Sequence, residues 1–96
     1  MSEKIQEIKD KIQPIAKSND IAYVAVFGSV ARGDDKPESD LDLLVRFSQP
    51  KSLLDFSALN NKLNEIFGRQ VDLVTERALH PIIKQNIQKE LITVYG

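Results

Sequence analysis

The sequence predicts an α+β fold, an α/β sandwich in which helices cover a sheet, and three observations carry that expectation. Isoleucines at positions 5, 8, 12 and 15 recur at the period of a helix with one apolar face. The run Ile21 to Phe27 is almost wholly apolar, as a strand buried on both faces requires. From Asp40 to Phe47 the pattern switches to alternation, the mark of a strand with one buried face.

The elements follow in order. The first helix carries Pro14, whose missing N–H removes one bond to the carbonyl four residues back; we expect a kink there or a helix that restarts. Ser18-Asn19-Asp20 makes a polar turn into the first strand, and Gly28 ends that strand. The stretch Asp34 to Glu38 reads as a solvated loop, and the polar link from Arg32 to Pro37 is too short to hide a crossover helix. In the second strand Leu41, Leu43, Val45 and Phe47 face one way, Asp40 and Asp42 the other. Residues 52–67 form a helix. Ser52 is its N-cap, with Asp55 three residues on, and its stripe is Leu53, Phe56, Leu59, Leu63, Ile66 and Phe67. Gly68 suits its left-handed C-terminal position. A short third strand, Val71 to Val74, precedes a last helix that opens at Pro81 with Ile83, Ile87 and Leu91 as apolar positions. Leu91 to Tyr95 fits a short edge strand.

Composition narrows the function. Ninety-six residues make one domain, residues 1–96, with 42% apolar and 28% charged residues. Thirteen basic residues against 14 acidic give a net charge of −1, so there is no electrostatic footprint for nucleic acid or an anionic membrane. The absence of cysteine excludes disulfide scaffolds, thiolate zinc sites and thiol catalysis. A single histidine weakens any Ser-His-Asp scheme. The start, Met1 to Lys4, lacks the apolar core of a signal peptide, and no stretch approaches the ~20 apolar residues of a membrane span. The expected setting is the cytoplasm.

Three features converge on one chemistry. Phe27-Gly28-Ser29 closes a buried strand, Ser39-Asp40-Leu41-Asp42 opens the next, and Asp72 lies on the third. Residues i and i+2 on a strand point the same way with Cα atoms about 6.6 Å apart. Two carboxylates at that spacing repel by roughly 2–3 kcal/mol at an effective dielectric near 20. Asp72 adds a third negative charge if its strand pairs beside the second. Such a cluster raises its own pKa values unless a cation sits in it. Oxygen-only ligands favour Mg²⁺ or Mn²⁺ over zinc, and two such ions suit an in-line phosphoryl displacement. Gly28 lets the backbone come close to a ligand, Ser29 adds a hydroxyl, and Arg32 supplies a fixed positive charge for phosphate.

Each feature alone has a bland reading. Gly-Ser after a strand is usually a turn, Asp-x-Asp is usually a solvated face, and one aspartate in a strand means little. All three in this order on successive strands is what chance supplies rarely. Pro50-Lys51-Ser52 lacks the glycine of a phosphate-binding loop, no G-x-G-x-x-G exists, and His80 before a proline reads as a cap or surface residue.

Gly28-Ser29-Val30-Ala31-Arg32-Gly33 followed by Ser39-Asp40-Leu41-Asp42-Leu43 resembles the minimal nucleotidyltransferase (MNT) family of the DNA polymerase beta superfamily, whose motif is G-S-x-x-R-G and then S-D-x-D. Val71 to Val74 resembles that family's third carboxylate strand. The resemblance spans essentially the whole chain and departs at no motif position. It implies the nucleotidyltransferase fold, a mixed sheet with core strand order 1-2-3 flanked by helices. It implies that Asp40, Asp42 and Asp72 bind Mg²⁺, two ions in all, with Asp72 aiding the attacking hydroxyl. Gly28 and Ser29 would hold the triphosphate of ATP, with Arg32 and Ser39 completing the nucleotide set. It further implies an antitoxin paired with a helical HEPN-domain toxin, to whose tyrosine AMP is transferred.

The residues themselves stop at a nucleotidyl site without an acceptor pocket. Three functions therefore stand side by side: nucleotide transfer to a protein partner, an antitoxin that binds nucleotide but acts by contact, and an aminoglycoside-like small-molecule transferase that needs a companion subunit. The sequence leaves open whether the chain forms homo- or hetero-oligomers.

Overall fold

The computed structural model describes residues 3–96; Met1 and Ser2, part of the start at which we expect no leader, lie outside them. The first helix, α1 (Glu3–Ser18), buries Ile5, Ile8, Ile12 and Ile15, the stripe that its spacing predicts. It passes through Pro14 as one element, so the restart that we allowed for does not occur. Pro14 and Asp10 both lie on the exposed side. The Asp10 carbonyl that loses its N–H partner can be hydrated there, which lowers the cost of an interior proline.

The chain continues through β1 (Ile21–Phe27), the one-turn helix α2 (Gly28–Arg32), β2 (Leu41–Phe47), α3 (Leu53–Phe67) and β3 (Val71–Thr75). A 3-10 turn at Glu76–Ala78 leads into α4 (Pro81–Gln88) and β4 (Ile92–Tyr95). The sheet order is β3-β2-β1-β4. The expected 1-2-3 core is present, and β4 extends it at the free edge of β1. β1 runs antiparallel to β2 and to β4, while β2 and β3 are parallel, so the sheet is mixed. The parallel pair is joined through α3, the kind of covered crossover that parallel strands need.

The two faces of the sheet differ. Val24, Val26, Leu41, Leu43, Val45, Val71 and Leu73 join the α1 isoleucines and Leu59 and Leu63 of α3 in one buried cluster. On the alternate positions sit Ala25, Asp42, Leu44, Arg46 and Asp72. Asp40 falls just ahead of β2 rather than within it.

Several details depart from the periodicity. Ser52 caps α3 by accepting the Asp55 N–H at 3.1 Å, and Gly68 closes it in the left-handed conformation at φ 64°. Leu53, assigned to the apolar stripe, is instead 86% exposed, because it stands in the first turn before the helix reaches the sheet. Ile83 is likewise 50% exposed, and Ile87 alone of α4 is buried. The 34–38 loop is not wholly solvated either. The Asp35 side chain is almost covered and pairs with Lys4 at 2.5 Å and Arg69 at 3.8 Å. The hydrogen bond from Lys4 holds the Asp35 carboxyl below its ordinary pKa.

Candidate nucleotide site

Strand register assembles the site. Asp42 pairs with Asp72 across the parallel β2–β3 ladder and with Phe27 across the antiparallel β1–β2 ladder. Neighbouring strands lie about 4.8 Å apart. The end of β1, where Gly28 and Ser29 follow, therefore meets the starts of β2 and β3. Residues separated by 14 to 44 positions in sequence (28, 42 and 72) come to one end of one face.

Asp42 is half-buried, while Asp40 and Asp72 are exposed. Burial pushes the Asp42 carboxyl up to about 6, the negative charges of Asp72 and then Asp40 push the same way, and Arg32 opposes them. An all-oxygen donor set under mutual repulsion fits a hard divalent cation. Among the described residues no three His, Cys, Asp or Glu side chains stand close enough to hold a metal ion as they are. To hold one together, the three aspartates would have to draw closer than they stand here.

Gly28 begins α2 with φ 76°, a left-handed conformation that L side chains rarely adopt. A Cβ at this position would run into Asp42 Oδ2. The sequence suggests that this glycine leaves room for a ligand; in the structure the chain's own carboxylate already rests against it. Ser29 is half-buried, and among the described residues its hydroxyl has no hydrogen-bond partner. Gly33, at φ 79°, closes α2 with N–H bonds to Ser29 and Val30 carbonyls.

Arg32 stands beside the turn, donating Nε to Asp34 at 3.3 Å and Nη1 to Glu90 at 3.1 Å. Ser39 is committed to its own loop. Its hydroxyl accepts the Lys36 N–H at 2.8 Å, and its carbonyl accepts from Arg69 Nε at 3.0 Å and from Arg69 Nη2. Ser39 thus shapes the approach to Asp40 by closing the loop.

Two residues that sequence reasoning passed over take part. Arg69 ties the 35–39 loop to the end of α3. Glu90 accepts the Gly28 N–H at 3.0 Å and also holds Arg32. Neither belongs to a periodic pattern or a local motif, so no signal within one segment marks them. A cavity of about 730 Å³ lies at the opposite end of the β2–β3 pair, beside Phe47, Phe56 and Thr75, and none of the predicted site residues lines it.

Comparison with known proteins bears on the fold and the family. The nucleotidyltransferase domain family matches residues 5–94. A Methanocaldococcus jannaschii protein named as a candidate protein adenylyltransferase is 42% identical over 90 residues, covering 94% of this chain and 97% of its own length. The protein adenylyltransferase MntA of Thermococcus cleftensis is 39% identical over 74 residues, covering 77% of this chain and 75% of its own. A solved structure described as a candidate minimal nucleotidyltransferase is 37% identical, covers 94% of this chain and 92% of its own, and superposes with a TM-score of 0.80. The fold is shared more widely: a Shewanella oneidensis complex of a tri-AMPylated HEPN toxin with an MNT antitoxin contains a chain 21% identical to this one, with a TM-score of 0.74 over 96% of this chain and 72% of that one.

Proposed function

This chain belongs to the nucleotidyltransferase domain family and is a nucleotidyltransferase, and from that premise we propose that it transfers AMP from ATP to a tyrosine hydroxyl of a helical protein partner, a HEPN-type toxin that it thereby silences. The observation that carries the reading is the register that sets Asp42 beside Asp72 and next to the Gly28–Ser29 turn. The name of the T. cleftensis relative supports a protein acceptor. So does the near-balance of charge, which gives counterion release on nucleic acid little to act on.

In this account Asp40, Asp42 and Asp72 would hold Mg²⁺, two ions in all, and Mg²⁺ would supply positive charge that offsets the charge of the triphosphate. Ser29 donates its free hydroxyl to phosphate beside the Gly28 backbone. Arg32 offers the guanidinium hydrogens that Asp34 and Glu90 leave unused. Ser39 keeps the loop that delivers Asp40, at the edge of the nucleotide set. Asp72, the exposed member of the carboxylate pair, takes the proton of the acceptor hydroxyl. The acceptor oxygen forms a bond to the α-phosphorus, the bond from that phosphorus to the β-phosphate bridge breaks, and pyrophosphate leaves.

The test is nucleotide titration with and without Mg²⁺. Ser29→Ala removes one neutral hydrogen bond and should weaken ATP binding by about two- to tenfold. Asp42→Asn should fold and lose the Mg²⁺ dependence of binding. A wild-type chain that binds no ATP at millimolar concentration overturns the reading.

A further inference from the structure

Glu90 lies between α4 and β4, and its side chain is 22% exposed. One carboxylate oxygen accepts the Gly28 backbone N–H at 3.0 Å, and the other accepts Arg32 Nη1 at 3.1 Å. Gly28 and Arg32 are the first and last residues of α2. One side chain from the far end of the sequence thus clamps both ends of a five-residue helix, and a helix that short does not hold itself together. The clamp also sets the aim of Arg32. A guanidinium carries five N–H donors in a fixed fork. Asp34 and Glu90 take one each, which leaves three. The unpartnered Ser29 hydroxyl sits between the clamped ends.

We propose that Glu90 is a positioning residue for the nucleotide: it acts through Arg32 and the Gly28 N–H to hold the phosphate-facing turn in its binding shape. The proposal rests on the nucleotide transfer assigned to this site. Glu90 accepts the Gly28 N–H and one Arg32 hydrogen, and it leaves the other Arg32 donors to the nucleotide. A carboxylate that merely filled an anion's place would compete with ATP, so the two roles predict opposite signs.

Calorimetric titration of the full chain with ATP and Mg²⁺ separates them. Glu90→Gln keeps an acceptor for the Gly28 N–H but loses the charged grip on Arg32. We expect its thermal midpoint to stay near wild type and its ATP affinity to fall about five- to tenfold. Glu90→Ala should lose at least as much. In an Arg32→Gln background, Glu90→Gln should add no further loss, since its effect runs through Arg32. In transfer assays the loss should fall on KM for ATP with kcat little changed. Wild-type or tighter ATP binding in both Glu90 variants overturns the positioning role. An equal loss with or without Arg32 also overturns it and assigns Glu90 to the fold alone. If the wild-type chain binds no ATP, the nucleotide reading fails and takes this role with it; a binding wild type with unaffected variants sinks only the role of Glu90.

Discussion

Asp42 concentrates the tension of the site in one carboxyl group. Its pKa stands at about 6 in the folded chain against 3.8 for an unperturbed aspartate, with burial as the main cause. A raised carboxyl favours the folded state when protonated. This contribution is therefore complete below about pH 4 and is lost as pH rises through 6. The group is partly solvated, so the loss amounts to about 1–2 kcal/mol, or roughly 5–10 °C in Tm for a domain of this size. Asp35, shifted down by Lys4, acts below the ordinary carboxylate range and leaves this window alone. Thermal melts in EDTA should show Tm falling between pH 4 and 7, and Asp42→Asn should flatten that slope. Gly28 gives a second expectation. Gly28→Ala places a side chain at φ 76° against Asp42 Oδ2 and should cost about 1–3 kcal/mol by chemical denaturation. Nucleotide affinity should fall with it, since Asp42 has to move. Asp42 and Asp72 were legible as strand residues because the alternation marks them, but that the two strands lie parallel with Asp42 beside Asp72 is seen only in the register, and Asp40 falls ahead of β2 rather than on it. Glu90 was not legible, because its partners lie 58 and 62 residues away and only the sheet edge brings them together.

The elements were legible where a periodic pattern met a matching end signal. Ser52 and Gly68 bracket α3 as capping chemistry requires. The first strand starts and stops where its apolar run does. Orientation was less legible. Leu53 and Ile83 satisfy a helical stripe by spacing, yet both are exposed, because periodicity reports which residues share a face and not how far the neighbouring sheet extends beneath it. The continuation through Pro14 has the same origin. A proline breaks a helix when the freed carbonyl is buried, and here that side is exposed. Pro14→Ala should restore one helical hydrogen bond and relieve the ring clash. We expect a gain of about 1–3 kcal/mol in stability, less a few tenths for added freedom in the unfolded chain, read as a raised denaturant midpoint with unchanged slope. An unchanged midpoint would mean that α1 has already adapted to the ring.

At the scale of the molecule, two pairings do the assembly: β1 against β2 brings the Gly28–Ser29 turn to Asp42, and β2 beside β3 brings Asp72 to Asp42. The order β3-β2-β1-β4 then places Glu90, at the entrance to β4, beside the same turn. In the proposed reading the nucleotide is held at this turn and the acceptor is presented by a partner protein. No helix among the described residues is long and apolar enough to cross a membrane. The central claim, AMP transfer to a protein, is tested most directly by weighing the partner. The chain is incubated with a HEPN-type helical protein from the same organism, ATP and Mg²⁺, and that protein's intact mass and modified residue are read by mass spectrometry. The account predicts a mass gain of one or more AMP units on tyrosine, absent with Asp42→Asn or in EDTA. A stable complex whose partner keeps its unmodified mass with every nucleotide would contradict it.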